Sequence, residues 1–287
     1  MSNLKEIRSR ISSVSSTMKI TSAMKMVSAA KLKKAQDRIQ NMRPFSSALK
    51  ASIQNLLPNI NNSDIKLTSS FTSNNKSLII AISSNRGLCG GFNANVFKKI
   101  NEKINKQNTD VLCVGKKSAE QFKRNGYNIL KVETDLLDKP SSQSSIEISQ
   151  NIIDEFLQGK WAEVIIVYNK FKNAATQIIS SETLLPIPID INEIQEKKSK
   201  KDYIFEPDKT QIINSLIPQQ IHTQFFEAIL NSIAAEHGAR MTAMHKATDN
   251  AQELKQGLTL TYNRQRQAAI TNEILEIVAG AEALKGT

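Results

Sequence analysis

The residues best suited to chemistry form a short glycine-rich loop, Arg86-Gly87-Leu88-Cys89-Gly90-Gly91, between a predicted strand and a predicted helix. Loops in this position often bind phosphate through their backbone amides. This loop lacks the Gly-Lys-Ser/Thr ending of a P-loop, and its glycines do not follow the Gly-x-Gly-x-x-Gly spacing of dinucleotide sites. Arg86 would support an anion contact, but a tight strand-to-helix turn accounts for the glycines better. We therefore interpret the loop as structural.

The histidines and cysteines do not have the spacing of a metal or nucleophile site. His237 and His245 are eight residues apart, whereas metal ligands on one helix are usually three or four apart, and His222 is farther away. Cys89 and Cys113 adjoin predicted buried strands and have no histidine close in sequence. Two cysteines and no secretory leader indicate a reducing compartment. We predict no catalytic residue, cofactor or metal.

Five polar residues in a row, 263–267 (Asn-Arg-Gln-Arg-Gln), lie in the middle of the last predicted helix. A helix that buries one stripe in its own domain is not normally built this way. The row predicts that a partner outside the chain surrounds this helix, and plain solvent exposure is the alternative. Arg266 offers up to five donors, so charge-assisted bonds of ~1.5–3 kcal/mol each are expected there. From Val278 onward, the tip of this helix is apolar enough to fit into an apolar socket of a partner.

A second long helix, at the start of the chain, is predicted from a heptad pattern. Sixteen positions alternate spacings of three and four: Leu4, Ile7, Ile11, Val14, Met18, Thr21, Lys25, Ser28, Leu32, Ala35, Ile39, Met42, Ser46, Leu49, Ile53 and Leu56. This period winds helices around a partner, and at ~1.5 Å per residue the helix would be roughly 80 Å long. Polar residues weaken the seam near Met24. Pro44 predicts a kink or break near residues 40–44.

Between the two helices, strands and helices alternate. Strands are predicted at 78–82, 111–114, 164–168 and 177–184, and helices at 93–105, 116–125 and 144–157. This alternation predicts a small, mostly parallel sheet covered by helices. We expect Asn93 to cap the first of these helices and Asp208 to cap the last helix of the chain, with Pro218 a candidate break. The predicted division is a helix at 1–58, a linker at 59–75, an α/β domain at 76–206 and a helix at 207–287.

The positive charge is concentrated at the start of the chain. The net charge is +11, and residues 1–60 hold eleven Lys and Arg against two acids, whereas residues 209–287 hold seven of each. A basic helix indicates an acidic partner, nucleic acid or anionic lipid, or a solvated face. The sequence contains no run of the ~18 apolar residues that a membrane span requires.

Four blocks, in order along the chain, resemble the gamma-subunit family of F-type ATP synthases. The C-terminal block is Ile270-Thr271-Asn272-Glu273 with Glu276 and Gly280-Ala281, and the others are residues 19–27, 86–93 and 236–244. The resemblance implies an α/β fold with long helices: an antiparallel coiled coil of the two terminal helices with an inserted Rossmann-like domain. The chain lacks the inserted segment with a regulatory cysteine pair of plastid-type members, which indicates a bacterial type without thiol regulation.

The resemblance also implies a function. A gamma subunit is a non-catalytic rotor in the central stalk, with one copy inside three alpha–beta pairs, and it also contacts the epsilon subunit and the membrane c-subunit ring. It couples proton translocation to ATP synthesis or hydrolysis by biasing the conformations of the catalytic sites. The implied location is peripheral, on the cytoplasmic face of the bacterial inner membrane, with indirect membrane association and no nucleic acid.

Six residues are carried over from the family blocks as contacts between rotor and catalytic head. Met24 is expected to face the mobile loop of the beta subunits. Arg266 and Gln267 are expected to form a polar collar that bonds to the head, and Arg240 is expected to lie lower on the shaft. The remaining two, Thr271 and Glu273, lie beside the collar.

Two other classes of protein remain as alternatives. A coiled coil that binds nucleic acid would explain the basic first helix, although that helix has no aromatic residue to stack on bases before Phe45. A nucleotide-dependent enzyme built on the α/β domain would explain the glycine loop. Steep salt dependence of binding would support the first, and ATP binding by residues 76–206 alone would support the second.

Overall fold

A computed structural model describes residues 2–56, 67–68, 76–103, 108–187 and 206–285. In chain order the elements are α1 Ser2–Leu56, β1 Ser77–Ile82, α2 Phe92–Lys103, β2 Thr109–Val114, α3 Lys116–Arg124, β3 Asn128–Glu133, α4 Asp135–Asp138, α5 Ser142–Leu157, β4 Glu163–Phe171, β5 Gln177–Leu185 and α6 Lys209–Lys285. The predicted linker 59–75, apart from 67–68, lies outside the described residues. None of the described helices is both long and apolar enough to cross a lipid bilayer.

The chain divides into two compact units. One comprises Met1–Val27 with Met241–Thr287, and the other comprises Ser28–Arg240. The division falls inside both long helices, whereas the boundaries predicted from the sequence lie at helix ends. The four predicted segments therefore stay a prediction, and the two units are described separately below.

The heptad seam of α1 is confirmed by burial. All sixteen seam positions are buried or half-buried, in both units, whereas most other residues of α1 are exposed. Of the kink or break predicted near Pro44, the break is wrong, because α1 is continuous through this residue, and the kink stays a prediction. Pro44 removes the amide that would bond to the carbonyl of Gln40. Both residues are exposed, so water can satisfy that carbonyl. The last helix, α6, is likewise continuous through Pro218.

In the first unit, the two ends of the chain pair as antiparallel helices. Thr21 Oγ1 lies 2.8 Å from Thr248 Oγ1, and Lys25 Nζ lies 3.3 Å from His245 Nδ1. The partner number on α6 falls as the number on α1 rises, which defines the antiparallel direction. Two of the polar seam positions thus make hydrogen bonds to α6, and Thr21 is buried while doing so.

The second unit contains a five-stranded sheet in the order β3-β2-β1-β4-β5. β1 pairs in parallel with both β2 and β4, β3 continues the parallel set, and β5 is antiparallel to β4. This is the predicted mostly parallel, Rossmann-like sheet with helices packed on it. Five of the six residues of β1 are buried, in keeping with a central strand covered on both faces.

One strand was missed from the sequence. β3 lies at the edge of the sheet, and four of its six residues are exposed. An edge strand of this kind lacks the continuous apolar run that identified β1, β2 and β4. The cap predicted at Asp208 is confirmed, because its carboxylate accepts a hydrogen bond from the amide of Thr210 at 3.2 Å.

Two glycines with positive φ provide a matched test of the sheet. A Cβ on Gly115, which has φ +111°, would lie 2.7 Å from Ser83 Oγ and 2.8 Å from the Ser83 carbonyl oxygen. Gly126 also has positive φ, but no heavy atom lies within 4 Å of its hypothetical Cβ. Gly115→Ala should therefore lower the free energy of unfolding by about 3 kcal/mol or more, and Gly126→Ala by only about 1–2 kcal/mol. Urea unfolding of both variants checks this, and equal losses would contradict it.

Candidate functional site

The polar row on α6 is solvent-exposed in the first unit. Four of its five residues are exposed, including Arg266 and Gln267, and Gln265 is half-buried. Thr271 and Glu273 are exposed too, and Thr271 Oγ1 donates a hydrogen bond to the Gln267 carbonyl within the helix, at 3.0 Å. The helix thus brings these four predicted contact residues together within about two turns.

The same end of α6 exposes large apolar side chains. They are Leu260, Ile270, Ile274, Leu275, Ile277 and Val278, each 48–71% exposed. Ile270, Ile274 and Val278 are spaced by four residues and therefore form a stripe along one face of the helix. Single exposed apolar residues are ordinary, but a contiguous stripe marks a surface that binds a partner. We call this stripe and the polar row together the terminal surface.

Met24, the predicted contact on α1, belongs to the same unit. It is half-buried, and it lies next to the seam residue Lys25, which contacts His245 on α6. His245 Nδ1 is also 3.3 Å from Asp249 Oδ2, so the side chains of a lysine, a histidine and an aspartate meet here. Met24 therefore lies beside the polar part of the helix pair.

Arg240, the sixth predicted contact, is in a different environment. It is the last residue of α6 in the second unit and is buried, with 7% of its surface exposed. Its Nη1 lies 2.7 Å from Glu236 Oε1, and Nε donates to the Gly87 carbonyl at 3.3 Å. Its Nη2 donates to the carbonyls of Arg86 at 3.1 Å and Gly87 at 3.3 Å. The guanidinium is thus bonded to the glycine loop of its own chain.

Ser84 and Asn93 flank the glycine loop, residues 86–91, and hydrogen-bond to each other. Asn93 does not cap α2 as predicted, since α2 begins one residue earlier, at Phe92. Asn93 Oδ1 instead accepts hydrogen bonds from the amide of Ser84 at 2.9 Å and from its hydroxyl at 3.0 Å.

At the tip of the loop Leu88 has φ +62° and is 62% exposed. A left-handed leucine is uncommon and requires support from its surroundings.

The crevice where ligands usually bind to such a sheet is filled by α6. In this strand order the crevice lies between the carboxyl ends of β1 and β4. Cys89, Phe92 and Ala235 form a buried cluster there, with Phe171 and Ala239 packed against it. A Cβ on Gly238 would lie 3.2 Å from the Ala174 carbonyl oxygen, so α6 approaches the β4–β5 turn closely. The arrangement supports the interpretation of the loop as structural.

Burial makes both thiols poor nucleophiles. Cys89 and Cys113 are buried free thiols. Desolvation raises the pKa of Cys89, and it raises the pKa of Cys113 to about 11. Thiols with raised pKa are in the unreactive thiol form at neutral pH.

Glu236 and His237 lie beside Arg240, and their pKa values are shifted in opposite directions. Burial raises the pKa of Glu236 above the usual carboxyl range, and the nearby guanidinium opposes that shift by favouring the charged carboxylate. Burial, followed by the charges of Arg240 and Lys31, lowers the pKa of His237 to about 4. His237 is therefore neutral at pH 7, and its Nδ1 lies 3.4 Å from Arg240 Nη1 as an acceptor.

We predict that His237 makes the chain sensitive to mild acid. The unfolded chain takes up a proton at this residue near pH 6.5, whereas the folded chain does so only near pH 4. Stability should therefore fall as the pH is lowered from about 6.5 to 4, by about 3 kcal/mol at most. His237→Gln should lose less stability over this interval than the natural chain, as measured by urea unfolding at several pH values. Stability at pH 8 is the reference for each variant, and parallel pH curves would contradict the prediction.

Glu236, Ser84 and the bonding role of Asn93 were not predicted from the sequence. Glu236 lies four residues before Arg240, which is the spacing of a helical ion pair. That spacing was a usable signal for the pair. The burial of the Glu236–Arg240 pair was not foreseeable, because this burial depends on the loop carbonyls that the fold brings to the helix.

Comparison with known proteins identifies close relatives. The sequence profile described as ATP synthase matches residues 3–284. The ATP synthase gamma chain of Flavobacterium psychrophilum is 49% identical over 292 residues, which covers 100% of both chains. The gamma chain of Flavobacterium johnsoniae is also 49% identical, and that of one Chlorobium phaeobacteroides strain is 41% identical, each with full coverage of both chains.

Solved structures give the same result at the level of the fold. A chain in the central stalk and c-ring structure of the Tetrahymena thermophila mitochondrial ATP synthase is 25% identical, with a TM-score of 0.60. The match covers 79% of this chain and 99% of that one. A chain of the Euglena gracilis mitochondrial ATP synthase is 20% identical and shows the fold, with a TM-score of 0.70 over 99% of this chain and 95% of that one.

Proposed function

The chain belongs to the gamma-chain family of ATP synthases, and from this premise we propose how its surfaces serve the assembly. A gamma chain is a non-catalytic rotor subunit of the central stalk, and the chemistry of ATP takes place in other subunits. We propose that one copy of this chain turns inside three alpha–beta pairs. The terminal surface on α6 is the observation that carries this proposal.

The terminal surface combines the two properties that a rotating contact requires. Its apolar stripe favours enclosure by a partner, because exposed apolar area is unfavourable in water. Its polar row supplies donors that can bond to the enclosing head and exchange between equivalent partners. We propose that Arg266, Gln267, Thr271 and Glu273 make these head contacts, with Met24 on the paired helix facing the beta subunits.

The burial of the Arg240 side chain argues against the contact with the catalytic head that was expected from the sequence. Its guanidinium is bonded to Glu236 and to the carbonyls of the glycine loop, so few donors remain for the head. We propose an internal role for this residue in place of the external contact.

In this proposal the central stalk changes the affinity of the beta subunits for nucleotide without contacting the nucleotide itself. A surface that contacts one conformation of a beta subunit better than another shifts that subunit toward the preferred state. As the shaft turns, the preference moves to the next subunit, so rotation and nucleotide affinity are coupled. Proton flow through the c-subunit ring would drive the turn, and ATP hydrolysis would reverse it. The epsilon subunit would bind at the end of the stalk nearest the membrane, on the cytoplasmic face of the bacterial inner membrane.

Co-expression of this chain with the alpha and beta subunits tests the proposal. Native mass spectrometry should give one copy of the chain per three alpha–beta pairs, and ATPase activity should depend on its presence. An alpha–beta assembly that excludes the chain would contradict the proposal. A chain that instead copurifies with nucleic acid, with affinity that falls steeply as salt rises, would support the coiled-coil alternative.

A further inference from the structure

The strongest unassigned feature of the second unit is a clamp between α6 and the glycine loop. It consists of the Arg240 guanidinium, the Glu236 carboxylate and the carbonyl oxygens of Arg86 and Gly87. Each of the three guanidinium nitrogens makes at least one of these contacts. The side chains of Arg240 and Glu236 are only 8% and 11% exposed, so the clamp is held away from water.

The clamp lies at the point of α6 where the helix passes from one compact unit to the other. Arg240 is the last α6 residue that belongs to the sheet-containing unit, and Met241 begins the part of α6 in the other unit. The loop that it holds follows β1, the central strand of the sheet. One side chain therefore ties the central strand to α6 where the helix leaves the unit.

Two further observations indicate that this junction is rigid. The hypothetical Cβ of Gly238 would lie 3.2 Å from the Ala174 carbonyl oxygen, so the helix backbone lies directly against the β4–β5 turn. Leu88 is held with φ +62° at the exposed tip of the loop. A residue other than glycine adopts this conformation only where its surroundings fix the backbone.

We propose that Arg240 is a positioning residue that fixes the glycine loop to α6, so that the helix and the sheet turn as one body. This inference rests on the proposed rotor function and extends it by naming where torque passes between sheet and helix. The planar fork of arginine suits the role, because it bonds to two carbonyls and a carboxylate at once.

Arg240→Lys separates the two parts of the clamp, which are the bonds to the loop carbonyls and the ion pair with Glu236. Lysine keeps the positive charge beside Glu236, but its single ammonium cannot reproduce the fork that reaches both carbonyls. In the full-length chain, hydrogen–deuterium exchange should accelerate at least about fivefold in residues 84–91, while β1 and β2 keep their rates. Arg86→Ala is the matched control, because only the backbone carbonyl of Arg86 takes part, and it should leave loop exchange unchanged.

The outcomes of the exchange experiment are distinct. If Arg240→Lys leaves the loop as protected as in the natural chain, the positioning role is wrong. If exchange rises equally in the loop and the strands, the arginine acts on global stability and the role is again wrong. Neither result depends on the other subunits, so the exchange experiment stands even if the chain does not assemble with them.

The torque path is tested in the complete ATP synthase reconstituted in vesicles. Arg240→Lys should keep ATP hydrolysis within about twofold of the natural enzyme but lower the protons pumped per ATP at least twofold. An unchanged pumping ratio with a loosened loop would refute the torque path. Failure of the natural chain to join the complex would refute the proposed function itself.

Discussion

Removal of residues 258–287 is expected to leave a chain that assembles with alpha and beta subunits but supports ATP hydrolysis at least tenfold more slowly. The deletion takes away the terminal surface, including all of its exposed apolar stripe. Under the proposed function this surface contacts the catalytic head, so its removal should weaken the bias of the head among catalytic conformations. A tenfold loss corresponds to about 1.4 kcal/mol of transition-state stabilisation, which is small for a surface of this extent.

The measurement is steady-state ATPase activity of the purified complex, beside native mass spectrometry. The double variant Arg266→Ala/Gln267→Ala is the milder companion and should lower activity by less than the deletion. Thermal unfolding of the second unit should be unaffected in both cases, because the altered residues belong to the first unit. Full activity of the truncated complex would show that coupling lies elsewhere in the chain.

Replacement of Arg240 by methionine should lower the free energy of unfolding by about 3–5 kcal/mol. Methionine leaves the Glu236 carboxylate buried without its cation, and breaking a buried ion pair on one side has a cost of this size. Glu236→Gln in the same chain should restore part of the loss, because a neutral amide needs no counter-charge. The two single variants and the double variant form a cycle that isolates the coupling between the side chains.

Urea unfolding of the four chains gives the required free energies. A coupling energy of about 1 kcal/mol or more would agree with the buried pair. Strictly additive losses would contradict it, and would indicate that the two side chains act through separate neighbours.

The coiled coil was predictable because its code is local and repeated. Sixteen seam positions specify one face of α1. A single polar residue in the seam, such as Thr21, does not obscure the heptad period. The central strands were predictable for a similar reason, since β1 is a continuous apolar run. The edge strand β3 was not, because one side of it faces solvent and its composition is mixed.

Features that depend on tertiary partners were not predictable. Pro44 indicated a kink or break because proline removes a helix hydrogen bond and crowds the preceding turn, but the lost bond is tolerable where the freed carbonyl is exposed to water. Asn93 is a residue type that often caps helices, yet its side chain bonds to Ser84, which precedes the glycine loop. Arg240 and Glu236 have the spacing of a surface ion pair, and only the folded loop shows that they are internal.

The apolar stripe on α6 also has a consequence for how the chain is produced. A chain synthesised before its partners presents Ile270, Ile274 and Val278 to the surrounding water. Such surfaces promote self-association and attract chaperones and proteases. An excess of this subunit over alpha and beta should therefore be short-lived, so that its abundance in the cell is set by the supply of its partners.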